Sequence, residues 1–302
     1  MAGVTDMPYR ALCRQQGACF TYTEMVSAKA LEYKNKNTRP LLRVSDEEGL
    51  AALQLFGSDP QTMANEALKL EDGPYAFFDV NMGCPMPKIV GNGDGSALMK
   101  NPKLAGEIIS AMTKVLHKPV TVKIRMGFDK NSVNAVEIAK IAQGCGAAAV
   151  AVHGRCAEDY YSGKANWDII GEVKAAVDIP VIGSGDIYSG KDAKEMLLRS
   201  GCDGVMAARG ARGNPWIFHN IKQYLEMGTE PEKPSIEEVK EMILRHTRAQ
   251  IEFSSENIAI RQMRKHVAWY SAGYPEGAQL RRRINTAATF GEFEEILTMW
   301  GA

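Results

Sequence analysis

The chain has 302 residues, of which 45% are hydrophobic and 24% charged, and its formal net charge is +0. These values are typical of a folded globular protein, and they exclude a disordered chain or one that binds polyanions through its overall charge. The first residues lack the pattern of a secretion signal, no apolar run reaches transmembrane length, and the six cysteines include no CxxC pair. We therefore expect a cytoplasmic protein with reduced thiols, no zinc site and no membrane contact.

Short β-rich segments alternate with helical segments from the amino terminus to about residue 210. Most are apolar almost throughout and then end in glycine or a polar residue, as parallel strands covered on both faces do. This pattern predicts an α/β fold, a (β/α)8 TIM barrel whose strand carboxyl ends carry the chemistry. The seven predicted strands are 18–25, 51–57, 76–83, 120–127, 147–154, 180–186 and 204–210.

A closed barrel of this type has eight strands, one more than the sequence predicts. The chain opens on MAGVTD, which is typical of the loop after a first strand. We therefore expect the first strand to lie upstream of Met1. Either the start of the chain is misassigned, or the chain is truncated, or the protein is an open barrel with an exposed edge. Of these explanations we favour the misassigned start.

The carboxyl-terminal part of the chain has a purely helical pattern. Residues 228–234 are rich in proline, glycine and charge, and they predict a linker between a catalytic barrel over 1–227 and an all-helical domain over 235–302. Ser235, followed by Glu237 and Glu238, is typical of a helix start.

Basic and aromatic residues are concentrated in the predicted helical domain. Nine basic residues and four acidic ones lie between positions 240 and 283. Lys265, His266, Trp269 and Tyr270 interleave both side-chain types, which suits phosphate contacts together with stacking on RNA. A solvated helix face is the alternative. The candidate RNA-binding residues are Arg261, Arg264, Lys265, Arg282 and Arg283.

The segment DVNMGCP, residues 79–85, ends a predicted strand and contains the best candidate for a catalytic group. A free cysteine titrates at about 8.5. At neutral pH, Cys84 is therefore mostly protonated and can act as a general acid. Asn81 lies at the same strand end and is a candidate for contact with substrate. A structural cysteine is the alternative, because the sequence GCP alone is a weak motif.

Other strand ends carry groups that suit an anionic cofactor. Lys123 in VTVKIRMG needs an anionic partner, for which a reduced flavin qualifies; a lysine–carboxylate pair is the alternative. His153 in AVHGR is a second candidate, unless it is a core histidine. The segments Ser184–Asp186 and Ala208–Arg209 end the last two strands, where barrels commonly hold a phosphate. They indicate a phosphorylated cofactor or substrate without identifying it.

Eight segments, in order and essentially from end to end, together resemble the tRNA-dihydrouridine synthases, and in particular their bacterial B-type branch. These segments are MAGVTD, TEM (23–25), QLFG (54–57), DVNMGCP, VKIRMG, VHGR, SGD and RKHVAWY. The resemblance implies an FMN-dependent barrel with a helical tRNA-binding domain, reduced by NADPH or NADH. Its implied reaction is reduction of the C5=C6 bond of specific uridines in tRNA, with Cys84 as the proton donor. The implied FMN contacts are Met1, Ala2, Gln54, Lys123, His153, Ser184, Gly185, Asp186, Ala208 and Arg209.

This sequence departs from the family pattern at three places. The family usually has asparagine at Ser184 and glycine at Ala208, so we expect a reduced FMN affinity. The absent first strand removes the proline that normally precedes MAG, which affects the contacts of Met1 and Ala2 most.

Three other functions remain open at this point. One is an FMN barrel dehydrogenase that acts on a free pyrimidine-like small molecule. Another is a truncated, non-catalytic RNA-binding protein, and the last is a non-redox phosphate-binding barrel such as an aldolase. For the tRNA-dihydrouridine synthase interpretation we expect tRNA as the partner and a monomer without an obligate protein partner.

Overall fold

The computed structural model describes residues 1–301. One sheet of parallel strands runs through the first two thirds of the chain. Its segments are Thr21–Tyr22 (β1), Val26–Ser27 (β2), Ala51–Phe56 (β3), Phe77–Met82 (β4), Val120–Gly127 (β5), Ala149–Cys156 (β6), Val181–Ser184 (β7) and Gly204–Met206 (β8). Every predicted strand is present and every pairing is parallel, which confirms the barrel class that the sequence predicts.

The first predicted strand forms as two pieces, β1 and β2, which both pair with β3. Thr23 lies between them, and its hydroxyl accepts a hydrogen bond from the Gln54 N–H at 3.0 Å. A side chain thus replaces a backbone carbonyl in the ladder, so the strand is interrupted there. Within residues 1–301 the strand order begins with β1 and ends with β8, and these two do not pair, so the sheet is open between them.

Helices cover the outer face of the sheet, and most of them follow a strand. Buried aliphatic side chains of β3 to β7 and of these helices form the larger of two apolar cores. The helices of the barrel are Met7–Gln15 (α1), Ala28–Glu32 (α2), Pro60–Leu68 (α3), Pro87–Val90 (α4), Pro102–Val115 (α5), Ala135–Gly144 (α6), Asp168–Ala176 (α7), Gly190–Ser200 (α8) and Ile217–Met227 (α9). Short 3-10 helices span Lys36–Leu42, Asp46–Glu48, Gly95–Lys100 and Arg209–Ala211.

The carboxyl-terminal part is helical, as the sequence predicts. Its helices are Ile236–Phe253 (α10), Glu256–Tyr270 (α11), Gly277–Ile284 (α12) and Phe290–Thr298 (α13). Ser235 and Glu238 form a capping box in which the Ser235 hydroxyl accepts from the Glu238 N–H, and this confirms the predicted helix start. No helix in residues 1–301 is both long and apolar enough to cross a membrane.

A second apolar core joins the two ends of the chain. Tyr9 and Leu12 of α1 are buried in one cluster with residues of α10 to α13, among them Ile243 and Phe293. The segment after β8 also touches this part. Gly213 has φ +64°, and a Cβ there would lie 2.4 Å from the Trp269 carbonyl carbon, so the close approach requires glycine. The division of the chain at 228–234 stays a prediction.

Candidate active site

The strand carboxyl ends bring five of the predicted site residues to one end of the barrel. Register places Asn81 beside Lys123 across β4 and β5, and His153 beside Ser184 across β6 and β7. Gln54 lies on the neighbouring strand β3. Gln54, Asn81 and Ser184 are buried, whereas Lys123 and His153 are half-buried. The structure thus collects these side chains at one mouth, and their individual roles stay predictions.

A chain of hydrogen bonds runs from the barrel interior to Cys84. The Asp79 carboxylate accepts from the Thr121 hydroxyl at 2.6 Å and from the Gln54 amide nitrogen at 2.8 Å. The Asn81 amide nitrogen donates to the Gln54 carbonyl oxygen at 2.9 Å, and the Asn81 oxygen accepts from the Cys84 N–H at 2.9 Å. Because an ionised carboxylate only accepts, Asp79 determines the orientation of both amides.

Cys84 lies in the loop after β4, next to Gly83, and is half-buried. Its backbone carbonyl accepts from the Ser96 N–H at 3.0 Å. Gly95 has φ +61°, and a Cβ there would lie 2.8 Å from the Cys84 carbonyl oxygen, so only glycine allows this packing. Burial raises the pKa of the Cys84 thiol, with a smaller opposing effect of Arg125. The thiol therefore keeps its proton at neutral pH and can act as an acid.

Lys123 and His153 present polar atoms that have no partner within residues 1–301. The pKa of Lys123 is lowered to about 8, mainly by burial and to a lesser extent by the charge of Arg125, while Asp79 acts in the opposite direction. Burial also lowers the pKa of His153 to about 2, with Lys123 and Arg125 adding to the shift, so its ring is neutral. The buried His153 Nε2 has no hydrogen-bond partner. Two such unmatched groups fit a polar ring system with carbonyl oxygens and ring nitrogens.

Asp79 is the carboxylate that supports the charge on Lys123, and this role can be tested without any cofactor. In Asp79→Asn the amide oxygen can still accept from Gln54, and Thr121 can donate to the Phe78 carbonyl, 3.4 Å away, so the fold is expected to persist. Loss of the negative charge removes the effect that raises the pKa of Lys123. We expect the Lys123 pKa to fall by up to about one unit, and its acylation at neutral pH to quicken by up to about tenfold.

Acylation of Lys123 in flavin-free protein can be followed by mass spectrometry across a pH series. Glu66→Gln is a matched control, because it also changes a buried carboxylate to an amide but lies on α3, paired with Lys69. An unchanged Lys123 acylation profile in Asp79→Asn would show that Asp79 does not set the charge of this lysine.

The segment 184–186 is held by two arginines. Asp186 has φ 58° and accepts from Arg155 Nη2 at 2.6 Å and from Arg209 Nη2 at 2.7 Å. Burial opposes ionisation of Asp186, but the Ala165 N–H and Arg155 outweigh it, so the pKa of this carboxyl lies below its usual value. The Gly185 carbonyl accepts from Trp167 Nε1 at 3.0 Å. Arg209 is thus beside the predicted phosphate position but is paired with a carboxylate in this structure.

The first residues of the chain lie between the mouth and the helical part. Met1 is half-buried and packs against the second apolar core, whereas Ala2 is exposed. The Gly3 N–H donates to the Glu24 carboxylate. A Cβ at Gly3 would lie 3.5 Å from Lys265 Nζ, so a lysine of α11 reaches this segment. The predicted contacts of Met1 and Ala2 with a cofactor stay predictions.

The predicted RNA-binding residues differ in how free their side chains are. Arg261 and Lys265 are one helical turn apart on α11 and are exposed, as is Arg282 on α12. Arg264 is half-buried and donates to the Ala287 carbonyl at 3.0 Å. Arg283 contacts the Met299 sulfur at 2.7 Å. Exposure therefore favours the first three for phosphate contact, while the other two also support the packing of the helices.

Several residues at the mouth are not among the sequence-based candidates. Asp79 and Thr121 are buried polar residues inside apolar strands, and the spacing of Asp79 and Asn81, two residues apart in DVNMGCP, could have placed them on one face. Arg125 donates to the Gly83 carbonyl at 2.8 Å and to the Cys156 carbonyl at 2.9 Å, which ties two strand ends together. Only the fold could reveal this contact, since its partners are backbone groups.

The fold and the site together define a class, a parallel βα barrel with a protonated thiol, a lysine and a carboxylate paired with two arginines at its mouth. A family model described as dihydrouridine synthase matches residues 1–299. The chain belongs to the dihydrouridine synthase family. This result confirms the family resemblance and the enzyme class it implies, a flavin-dependent oxidoreductase.

Two curated relatives and two solved structures illustrate the similarity. A probable tRNA-dihydrouridine synthase of Rickettsia conorii is 42% identical over 94% of this chain and 86% of its own length. The tRNA-dihydrouridine synthase B of Vibrio vulnificus is 41% identical over 94% of this chain and 88% of its own.

Among solved structures, histamine dehydrogenase from Rhizobium sp. 4-9 matches with a TM-score of 0.56 at 14% identity, over 82% of this chain and 47% of that one. The 6-hydroxypseudooxynicotine amine oxidase of Pseudomonas geniculata N1 has a TM-score of 0.58 at 13% identity, over 80% of this chain and 47% of that one. At these identities the two structures support the fold alone.

Proposed function

We propose that this enzyme reduces the C5=C6 bond of uridines in tRNA to give 5,6-dihydrouridine, with bound FMN and with NADPH or NADH as the reductant. The observation that carries the proposal is the position of Cys84, a protonated thiol at the mouth of a dihydrouridine synthase barrel. Its hydrogen-bond chain to Asp79, the unpartnered Nε2 of His153 and the position of Lys123 beside Asn81 support the same site.

The residues at the mouth fit a flavin mononucleotide. Lys123 and the neutral His153 would contact the ring system, and Gln54 retains one amide hydrogen for it. The segment 184–186 and the backbone at 208–209, with Arg209, would hold the phosphate at the end of the last two strands. A flavin held by these residues would supply the hydride for C6 of the base.

Cys84 supplies the other hydrogen. Addition at C6 leaves negative charge conjugated to the C4 carbonyl, and the thiol proton neutralises it at C5, so the Cys84 thiolate must afterwards regain a proton from solvent. Asn81, whose oxygen holds the Cys84 backbone, has a second amide hydrogen that can bind a carbonyl oxygen of the base. A base that stays stacked in the folded tRNA cannot reach a thiol inside the barrel mouth, so the uridine must be turned out of the stack.

The helical part supplies the RNA contacts in this proposal. Arg261, Lys265 and Arg282 are exposed there, and Lys265 also approaches the segment at Gly3 beside the mouth. Backbone contacts of this kind fix an RNA without reading its bases. We propose that the enzyme works in the cytoplasm as a monomer.

The test uses purified protein with its flavin. With NADPH, we expect dihydrouridine to form in tRNA lacking this modification, and turnover of free uridine or uracil to be slower by at least about a hundredfold, because only tRNA engages the helical part. Mass spectrometry of digested RNA measures both. Comparable turnover of the free bases would favour the small-molecule dehydrogenase, and a colourless protein without flavin absorbance would favour the non-catalytic RNA-binding protein.

A further inference from the structure

Residues 28–43, which follow β2, form an exposed segment that we call the basic strap. It has a single acidic residue, Glu32, although the whole chain has a formal net charge of +0. All its basic side chains are exposed, and none forms an ion pair within residues 1–301. These basic residues are Lys29, Lys34, Lys36, Arg39 and Arg43. The strap is therefore a local concentration of unneutralised positive charge.

The strap begins on the same rim of the barrel as Cys84. Strand β2 pairs with the carboxyl end of β3, so the chain leaves the sheet at the catalytic end. Ala28 lies beside Gly57. The residue after Gly57 is Ser58, whose hydroxyl donates to the Asn92 carbonyl at 3.5 Å. Asn92 belongs to the loop that packs under Cys84. The nearby Lys29 acts electrostatically on Asp94 of this loop, partly opposing the burial that raises its pKa.

The strap ends against the helical part. Arg43 Nη1 donates to the Phe253 carbonyl at 2.8 Å, and its guanidinium carbon lies 4.4 Å from the centre of the Phe253 ring. Phe253 is the last residue of α10. The positive segment thus runs from the rim of the mouth to the end of α10, shortly before the start of α11, the helix that carries Arg261 and Lys265.

The backbone of the strap is anchored, so its cations have defined positions. The Asn35 side chain accepts from the Asn37 N–H at 3.0 Å and caps the 3-10 helix Lys36–Leu42. Thr38 is buried, and Leu41 and Leu42 pack against the barrel core. Tyr33, by contrast, is 73% exposed beside Lys34. An exposed aromatic ring among lysines offers a stacking surface next to phosphate-binding groups.

We propose that the basic strap is a second RNA-binding surface, on the barrel itself, which holds phosphates of the nucleotides next to the uridine that enters the mouth. This inference rests on the proposed function. The cations of the basic strap are all exposed and spread along an open rim. This arrangement suits a chain of phosphates better than a mononucleotide, which a concave pocket would enclose. Because the formal net charge of the whole chain is +0, only a local basic patch of this kind can attract a polyanion.

The test compares two double variants of the flavin-loaded enzyme. Lys34→Gln/Lys36→Gln removes two strap charges. Lys114→Gln/Lys140→Gln removes two exposed lysines from α5 and α6, on the outside of the barrel, and is the matched control. We expect the strap variant to bind tRNA roughly tenfold more weakly at about 0.1 M salt. Its log–log salt slope should be smaller by roughly 1.4 to 1.8, because each phosphate contact contributes about 0.7 to 0.9. The control should match wild type.

Three other outcomes overturn the inference, and they differ from one another. If wild type binds and reduces tRNA but both double variants keep its affinity and slope, the strap is a solvated surface and the proposed function stands. If only NADPH-driven flavin reduction is slowed in the strap variant, the strap binds the reductant and not RNA. If wild type itself neither binds nor reduces tRNA, the proposed function fails and the strap inference fails with it.

Discussion

Replacing Cys84 by alanine is expected to lower the rate of dihydrouridine formation on tRNA by at least about a hundredfold, the usual contribution of a positioned acid. The loss comes from the missing proton, because the loop should keep its shape. Asn81 binds the backbone N–H of residue 84 and not its side chain, and Ser96 binds the carbonyl of the same residue. tRNA affinity, flavin content and NADPH-driven flavin reduction should therefore stay close to wild type.

The control for this variant is Cys19→Ala, which removes an exposed thiol on the segment before β1. Quantitative analysis of dihydrouridine in single-turnover reactions measures the step directly. Since burial raises the pKa of the Cys84 thiol, the wild-type rate of proton transfer should persist through neutral pH and fall only in the alkaline range, as the thiol deprotonates. Turnover near the wild-type rate in Cys84→Ala would remove this residue from the mechanism.

The sequence could predict the barrel because its strands are short, apolar and regularly spaced. All seven predicted strands occur, and the polar residue at each strand end marks the functional end of the sheet. This pattern could not predict the break between β1 and β2. The break depends on a hydrogen bond from the Gln54 N–H to the Thr23 hydroxyl, and these two residues are far apart in the chain. Local alternation of residue types contains no information about that pairing.

The residues of the candidate site also fall into those that the sequence could predict and those that it could not. Cys84, Lys123 and His153 could be chosen from the sequence because their chemistry is unusual at the end of an apolar strand. Asp79 and Arg125 act through partners that only the fold brings near: a Gln54 amide from another strand, and the carbonyls of Gly83 and Cys156. Predicting them would have required the register of the strands as well as their positions.

The packing of α1 into the second apolar core could not be predicted either. An amphipathic helix would be expected whether α1 packed against the barrel or against the helical part. Its placement depends on a buried ion pair. Arg10 Nη2 donates to Glu48 Oε1 at 3.1 Å, with side-chain exposures of 3% and 0%. Arg10 also donates to the Thr5 carbonyl at 2.8 Å and to the Arg43 carbonyl at 2.6 Å. One guanidinium thus joins the first residues, the end of the basic strap and the segment before β3.

Glu48→Ala is expected to lower the free energy of unfolding by about 3 to 5 kcal/mol, because it leaves the Arg10 charge buried without a partner. It also removes the acceptor for the Ser45 N–H, 3.0 Å away, and so breaks the capping box of this turn. Urea unfolding followed by tryptophan fluorescence measures the change. Glu47→Ala, an exposed neighbour in the same turn, is the matched control and should shift stability by less than about 0.5 kcal/mol.

The conservative variant Glu48→Gln separates charge from shape. It keeps one oxygen to accept from Arg10 but cancels the negative charge, so its loss of stability should lie between those of the alanine variant and the control. If Glu48→Ala unfolds at the same urea concentration as Glu47→Ala, Arg10 must find water or another acceptor when its partner is removed. In that case the ion pair would not be what fixes α1 against the barrel, and the apolar contacts of Tyr9 and Leu12 would have to do so.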